Sequence, residues 1–467
     1  MRFIISLLLI MPLPLVAQER PNIVFILADD LGCFELGCYG QQKIKTPNID
    51  RLAERGMKFT RFYAGNNVCA PSRCSLLTGK HPGHATIRDN REAQPEGQHP
   101  IQENDANIAK LLKKQGYTCG AIGKWGLGMF GTSGDPLRHG FDFFYGYNCQ
   151  RHAHSHYPKY LYRNSSREEL PGNTHQAGPL HSHDLFETET LRWLELHQAE
   201  PFFLYLPYTV PHVAVQVPEA DLAEYRGKLG DDPAYDGKKG YQPHPAPRAG
   251  YAAMVSKLDR TVGRIVAKLD ELQLSRKTLI VFTSDNGPTH NVGGADSTFF
   301  QSAGKLRGLK GSMYEGGLRV PLIACWPGRI QPGTVNSDSW AFWDVLPTLA
   351  ELTGAKPPVE CDGISFLPTL LGRHDKQKRH DFLYWESPGY GGQQAVISGE
   401  WKAVRQQLKQ QAAKGTLITQ LYHLGQDEAE TKDLAGEHPD VLQRLVQLME
   451  REHQPSKLFP LAGVDAK

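Results

Sequence analysis

The stretch "NIVFILADD", residues 22–30, decides the fold. Its apolar residues run unbroken from Ile23 to Ala28 and stop on Asp29 and Asp30. A strand with one face in water alternates polar and apolar residues, so an unbroken run marks a strand covered on both faces. Three further stretches have the same form. "YTCGAIGKW" (117–125) ends near Lys124, "PFFLYLPYTVPH" (201–212) ends near His212, and "TLIVFTSDNG" (278–287) ends on Asp285 and Asn286. Helical patterns lie between them. Met254, Leu258, Val262, Ile265, Leu269 and Leu272 recur in steps of three and four, and "ANIAKLLKKQG" (106–116) reads as a shorter helix with Gly116 past its end. Alternating strands and helices predict an α/β fold: a large, mostly parallel or mixed sheet sandwiched by helices.

Parallel strands present their C-terminal ends on one edge, and ligands bind in the crevice outside it. Here four strand ends would deliver Asp29, Asp30, Lys124, His212, Asp285 and Asn286 to that edge. Taken singly, "DD" and "DNG" read as turns, since Asp and Asn favour them. Taken together, the hard oxygens of Asp29, Asp30, Asp285 and Asn286 suit calcium or magnesium rather than a soft metal. Lys124 and Lys310 add cations beside this acidic set, a mixture that a bound oxyanion explains. Lys310 lies in the glycine-rich "LRGLKGSMYEGGLRVPLI" (306–323), which reads as a tightly shaped loop. His212 follows Pro211 and is a candidate to protonate a leaving group.

"NNVCAPSRCSLLTG" (66–79) reads as a helix start, with Pro71 in the first turn, Ser72 as a possible cap and Leu76 and Leu77 facing the core. A cysteine at a helix N-terminus sits where anions are favoured, which points to a thiolate at Cys69. The residues by themselves reach a cysteine nucleophile or ligand beside a metal-bound oxyanion.

The bulk properties are those of a globular chain: 467 residues, 40% apolar and 22% charged. The net charge, 52 − 50 = +2, gives no reason to propose nucleic acid as partner. Arg2 followed by an apolar run from Phe3 to Val16, with Leu15-Val16-Ala17 before the cut, reads as a signal peptide over residues 1–17. The chain is therefore expected to be exported, periplasmic or secreted, with no membrane span once the signal is removed. None of the eight cysteines forms a C-x-x-C pair, which argues against a zinc cluster.

"CAPSR" (69–73) resembles the C-x-P-S-R signature of the type I, formylglycine-dependent sulfatases of the alkaline phosphatase superfamily. The likeness extends through "CAPSRCSLLTGKHPGH", "PNIVFILADDLG", "IGKWGLG", "VPH", "FTSDNG" and "LRGLKGSMYEGGLRVP", in the family's order, and on to "LYHLGQDEAETKDLA" near the C-terminus. The resemblance implies that Cys69 is oxidised to formylglycine by a formylglycine-generating enzyme that reads Pro71 and Arg73. One hydroxyl of the hydrated aldehyde would attack sulfur, and the second would let the sulfated hemiacetal collapse, where a serine would stay trapped as its ester. It further implies calcium (or magnesium) held by Asp29, Asp30, Asp285, Asn286 and the modified Cys69. Arg73 would hold the diol, Lys124 and Lys310 would meet sulfate oxygens, His212 would protonate the leaving oxygen, and Asp285 is a candidate base.

One departure stands out: many members read G-K-W-H-L-G, and this chain carries Gly126 at the histidine position. "CQRHAHSHYP" (149–158) offers His152, His154 and His156 to a substrate site, and "KHPGHATIRDN" (80–90) offers His84, Arg88, Asp89 and Asn90. Such polar groups suit a hydroxyl-rich ligand, so the expected substrate is a sulfated carbohydrate. A phosphate or phosphonate monoester hydrolase and a non-catalytic binder of sulfated glycans are the competing readings. The expected division is a catalytic α/β domain over 18–375 and a small C-terminal subdomain over 376–467. The subdomain is read as an antiparallel sheet, from alternation such as "AVISGEWKAV", with one helix through Val441, Leu445 and Leu448.

Overall fold

Burial on both faces is what the apolar run of residues 23–28 requires, and the structure, a computed structural model describing residues 20–465, puts that run at the centre of an eleven-stranded sheet. In chain order the strands are β1 (Asn22–Ala28), β2 (Met57–Tyr63), β3 (Thr118–Lys124), β4 (Phe143–Tyr147), β5 (Tyr160–Arg163), β6 (Ser166–Glu169), β7 (Phe202–Pro207), β8 (Thr278–Ser284), β9 (Arg319–Cys325), β10 (Thr334–Asn336) and β11 (Trp340–Ala341). In space they run β10-β2-β9-β8-β1-β7-β3-β4-β5-β6, with β11 also on β2. The block β8-β1-β7-β3-β4 is parallel, with Val24 opposite Ile280 and Leu204. β9 enters antiparallel between β8 and β2. The signal peptide expected over residues 1–17 lies outside the described residues.

Alternate residues of β1 feed two cores. Val24, Ile26 and Ala28 join a cluster with Phe186, Trp193, Leu258, Val262 and Ile265. Ile23, Phe25 and Leu27 join another with Leu76, Leu77, Leu112 and Leu346. On the first side lie the helices α1 (Pro47–Glu54), α4 (Ser182–Leu196) and α5 (Pro247–Glu271); on the second lie α2 (Cys69–Thr78), α3 (Ile108–Lys114) and α6 (Val345–Thr353). The stripe from Met254 to Leu269 is buried along α5. Asn107 caps α3 by accepting the Lys110 N–H at 3.0 Å, and Gly116 past its end takes φ 79°.

α2 differs from the expected reading in its first residues. It begins at Cys69, and the residue before it, extended Val68, makes no capping bond through its side chain. Ser72 lies inside the helix, where its hydroxyl accepts the Gly65 N–H and donates to the Asp285 carbonyl. The reason is burial: every residue of α2 is buried, so Ser72 serves neighbouring chain rather than a solvent-facing cap.

A second sheet, of strands Leu383–Ser387, Gln393–Ser398, Trp401–Arg405 and Gln420–His423, is antiparallel throughout. One of its faces packs Leu445 and Met449 of α7 (Pro439–Glu452) against Tyr384, Val396, Ala403 and Leu421. The other packs Trp385, Ala395, Ile397 and Tyr422 against Tyr63, Met313, Leu318 and Trp343 of the main body. All eight cysteines are unpaired. Among the described residues, no helix is long and apolar enough to cross a membrane.

Candidate active site

β8, β1, β7 and β3 are consecutive parallel strands that end on one edge, and the last residues of β1, β3 and β8 converge with the first turn of α2. Asp29 and Asp30 leave β1, and Asp30 is held at φ 65°, a conformation that costs energy for a side-chain-bearing residue and that clusters at functional sites. Cys69 Sγ lies 3.6 Å from Asp29 Oδ1 and 4.0 Å from Asp30 Oδ1. Asn286, from the end of β8, donates through Nδ2 to Asp30 Oδ1 at 2.8 Å. Arg73, one turn after Cys69, donates to Asp285 Oδ2 from Nε at 3.0 Å and from Nη2 at 2.7 Å, and to the Lys124 carbonyl at 2.6 Å. Lys124 pairs with Asp29. Lys310 pairs with Asp30 Oδ2 at 2.8 Å and lies 3.2 Å from His212 Nε2. The three carboxylates, Lys124 and Arg73 are thus one buried cluster, together with Cys69, Asn286 and His212, and Lys310 closes it at its partly exposed side.

Electrostatics sets the protonation of two groups. Burial pushes the Cys69 thiol up to about 12; Asp285 and Asp29 add to the rise, while Lys124 and Lys310 oppose it. With the protein's own charges alone Cys69 is a protonated thiol at neutral pH, so the thiolate expected from the helix N-terminus is outweighed by burial beside carboxylates. His212 is held well below its ordinary value by burial, then by Lys310 and Lys124. Its Nδ1 faces the Val213 carbonyl. A carbonyl only accepts, so Nδ1 carries the proton and Nε2 is left as an acceptor toward Lys310.

The donor chemistry fits a hard dication. One ligand atom each from Asp29, Asp30, Cys69 and His212 lie within 4.8 Å of one another. Asn286 Oδ1 is buried without a hydrogen-bond partner. A buried orphan acceptor is costly and is explained by an ion.

The remaining expected residues are distributed. His154 stacks on His212 at 5.0 Å between ring centroids and adjoins Tyr241 at 5.3 Å. His156 faces the His212 carbonyl at 2.9 Å through Nε2. His152 leans on Tyr160 and lies 3.2 Å from Glu96. Asn90 accepts the Ala70 N–H at 3.0 Å, so it caps the first turn of α2 beside Cys69. Asp89 lies against Gly389 of the second sheet's first turn. His84 and Arg88 are engaged elsewhere: His84 meets Asp362 at 2.9 Å, and buried Arg88 binds Glu386 and the Gln454 carbonyl, each at 2.6 Å.

Sequence reasoning passed over Asn67, Gln150, Tyr241 and Tyr390. Asn67, two residues before Cys69, is fully buried with neither amide atom partnered. Tyr390 is half exposed, leans over Gly311, and feels the charges of Lys310, Asp30 and Cys69. Its signal was the glycine-rich "SPGYGG" (387–392). Asn67 was visible as a doubled asparagine ahead of the cysteine.

The profile of the family described as Sulfatase matches residues 21–355, and that of the N-sulphoglucosamine sulphohydrolase C-terminal region matches 309–454. This chain belongs to the sulfatase family. The sulfatase is 33% identical to the N-acetylgalactosamine-6-sulfatase of Canis lupus familiaris, over 94% of this chain and 86% of that one. It is also 33% identical to arylsulfatase A of Homo sapiens, over 95% and 90% of the two chains. Among solved structures, Ps i-CgsB superposes with TM-score 0.78 at 28% identity, covering 93% of this sulfatase and 94% of that chain. A complex of another chain with its substrate D-glucosamine-2-N,6-O-disulfate shares the fold, with TM-score 0.73, 20% identity and coverage of 93% and 97%. As a sulfatase, the protein is a sulfuric ester hydrolase.

Proposed function

We propose that this sulfatase removes sulfate from a carbohydrate, using formylglycine made from Cys69 and a calcium ion held by Asp29, Asp30, Asp285, Asn286 and residue 69. The observation that carries the reading is the seat of Cys69: a buried helix N-terminus, within 4.0 Å of two strand-end aspartates, ringed by Arg73, Lys124 and Lys310. The hydrated aldehyde supplies a nucleophile that can also release sulfate. Calcium, when bound, supplies Lewis-acid polarisation of the nucleophile and of a sulfate oxygen.

The chain's own residues do the rest. Arg73, locked on Asp285, orients residue 69. Lys124 and Lys310 neutralise charge on the non-bridging oxygens. Lys310 and His212 together hold the proton for the leaving oxygen: His212 Nε2 accepts from Lys310 and can hand that proton on. Asp285 accepts from Arg73 on one oxygen and from the Asp30 N–H on the other, so it serves as anchor of Arg73 and ligand of the ion rather than as base.

The carbohydrate is supported by the relatives' names and by the surroundings. N-acetylgalactosamine-6-sulfatases stand among the relatives, and a solved neighbour is a complex with neocarrahexaose at 27% identity. A cavity of about 410 Å³ opens beside His154, lined by Glu92, Glu96, Arg151, His152 and Tyr160. Tyr241 and Tyr390 bring aromatic rings toward the cluster, suited to the apolar face of a sugar. Export, with residues 1–17 as signal peptide, brings the chain to polymeric glycans. The formylglycine-generating enzyme is its partner in maturation. The division into 18–375 and 376–467 places Tyr390 on the smaller part, as a contribution of that part to substrate.

Two measurements test the reading. Matured, calcium-loaded protein is assayed for sulfate release on a panel of sulfated mono- and disaccharides, with Cys69→Ala alongside. Loss of at least about 10³-fold in kcat by the variant, with its unfolding temperature kept, is expected. Turnover of aryl sulfates alone would reject the carbohydrate, and equal turnover by Cys69→Ala would reject the nucleophile. Chelation is expected to abolish turnover and to lower stability by about 2.7 kcal/mol relative to protein at calcium a hundredfold above its Kd; unchanged stability and turnover would remove the ion.

A further inference from the structure

Gly126 and Gln150 share one space. A Cβ built on Gly126 would lie 2.1 Å from Gln150 Nε2, and Gly126 itself is at φ 75°, where a side chain is strained. The two residues are held together by their backbones. β3 and β4 are paired with Lys124 opposite Tyr147, and beyond the strands the Trp125 N–H donates to the Tyr147 carbonyl and the Gly126 N–H to the Asn148 carbonyl. Gln150 therefore leaves the same sheet edge as Lys124, whose ammonium is in the catalytic cluster. The Gln150 side chain is 6% exposed, and neither Nε2 nor Oε1 has a hydrogen-bond partner. The nearby Asn148 Oδ1 is orphaned in the same way.

An amide buried without partners is destabilising, so a chain that keeps one has a use for it. A side chain at position 126 would occupy the amide's place, and glycine there leaves it room. We propose that Gln150 contacts the substrate, with Nε2 donating to a sulfate oxygen of the ester and Oε1 accepting from a hydroxyl of the sugar. This rests on the sulfate-ester reading of the site and adds to it a specificity residue. A neutral amide neither takes nor gives a proton at neutral pH, so Gln150 binds and orients; proton transfer stays with Lys310 and His212.

Gln150→Met keeps the volume and removes both polar atoms. Inorganic sulfate binding, read by calorimetry on the matured, calcium-loaded protein, is expected to weaken by about tenfold to a hundredfold, as for loss of a hydrogen bond to a charged group. The unfolding temperature is expected to hold or rise, because an orphan amide has gone. Unchanged sulfate affinity overturns the proposal, as does a lowered unfolding temperature with KM unchanged, which would mean that buried waters or protein groups satisfy the amide. Gln150→Glu, which replaces the donor by an anion, is expected to weaken sulfate more than Gln150→Met does; equal or tighter binding overturns donation to the anion. Gly126→Ala is expected to raise KM by displacing the amide, and to add nothing to Gln150→Met; full additivity overturns the shared space. Because sulfate binding is read without turnover, failure of Gln150 is separable from failure of the hydrolase reading, which would show as wild-type protein releasing no sulfate.

Discussion

The loop from Lys310 to Arg319 feeds two buried charge clusters, and they differ in what they leave unpaired. Lys310 enters the cluster of Asp29, Asp30 and Asp285, where Asn286 Oδ1 and the Asn67 amide have neither a hydrogen-bond partner nor an ion pair. Glu315 and Arg319, a few residues on, enter a cluster that ties the two sheets together. Lys402 of the second sheet lies 2.9 Å from both Glu315 and Glu430, Arg319 Nε donates to Glu315 at 2.9 Å, and the Tyr63 hydroxyl donates to the same carboxylate at 3.0 Å. The Lys402 and Arg319 cations hold the Glu315 carboxyl down at about 2, against the burial that would raise it. A structural cluster closes on itself, whereas one built for a ligand keeps atoms in reserve. Both have buried centres, so burial and charge alone do not separate structure from function; unsatisfied valence does.

The sharpest way to break that contrast is to remove one lysine from each. Lys402→Met leaves Glu315 and Glu430 without their cation, and about 3–5 kcal/mol of stability is expected to go, with kcat of the folded protein unchanged. Lys310→Met is expected to lose about 10²–10³-fold in kcat while costing less stability in calcium-loaded protein, since the ion remains to compensate Asp30. Denaturant titration and sulfate-release kinetics on the same preparations decide it. If Lys310→Met unfolds as readily as Lys402→Met and its folded remainder turns over normally, the two clusters are of one kind.

A smaller effect sharpens the same distinction at Arg88. Its guanidinium binds Glu386 of the second sheet and the Gln454 carbonyl past α7, so it joins the loop after α2 to the smaller sheet. Arg88→Met is expected to cost about 2 kcal/mol by removing one of the two cations on Glu386, which keeps His453 and the Tyr384 hydroxyl, with KM unchanged. A raised KM at unchanged stability would return Arg88 to the substrate wall.

The sequence made the strand ends legible for a physical reason. Runs such as residues 23–28 and 279–282 are apolar because both faces are covered, and a polar residue at the end of such a run has only the sheet edge to go to. That logic covers Asp29, Asp30, Lys124, His212, Asp285 and Asn286. It fails for loops, where no periodicity links a residue to its neighbours in space. His84 and Arg88 stand in as polar a stretch as Asn90, yet only Asn90 reaches the α2 N-terminus, because a contact 20 residues away depends on the path of the chain. Glu315 and Arg319 were likewise read only as part of a shaped loop, since Lys402 comes from a sheet more than 80 residues later and Glu428 and Glu430 from the turn beyond that sheet. Gln150 was hidden among histidines, and its place beside Gly126 appears only once the fold brings the two together. Ser72 was misplaced because a capping residue and a buried helical serine look alike until burial is known.

The smallest expected effect concerns pH, at the edge of the structural region. His453 has Nδ1 2.7 Å from Glu386 Oε2 and Nε2 3.0 Å from Asp465 Oδ1. Carboxylates accept, so both ring nitrogens donate and the imidazolium is the favoured form. Its pKa is raised above the ordinary 6.5: burial alone would lower it, and the bonds and charges of Glu386 and Asp465 win. A group whose folded pKa lies above its unfolded one contributes stability that is complete below about pH 6.5 and is lost as pH rises through the folded value. The wild type is therefore expected to lose stability relative to His453→Gln as pH climbs above 6.5, by about 1 kcal/mol, while the two curves run parallel in more acidic solution where both forms of the chain are protonated. Denaturant midpoints from pH 5 to pH 9 read this difference. A gap that widened toward acid would mean that the ring is neutral in the fold. Arg88 would then be the one cation on Glu386, with the Tyr384 hydroxyl donating at 2.7 Å beside it.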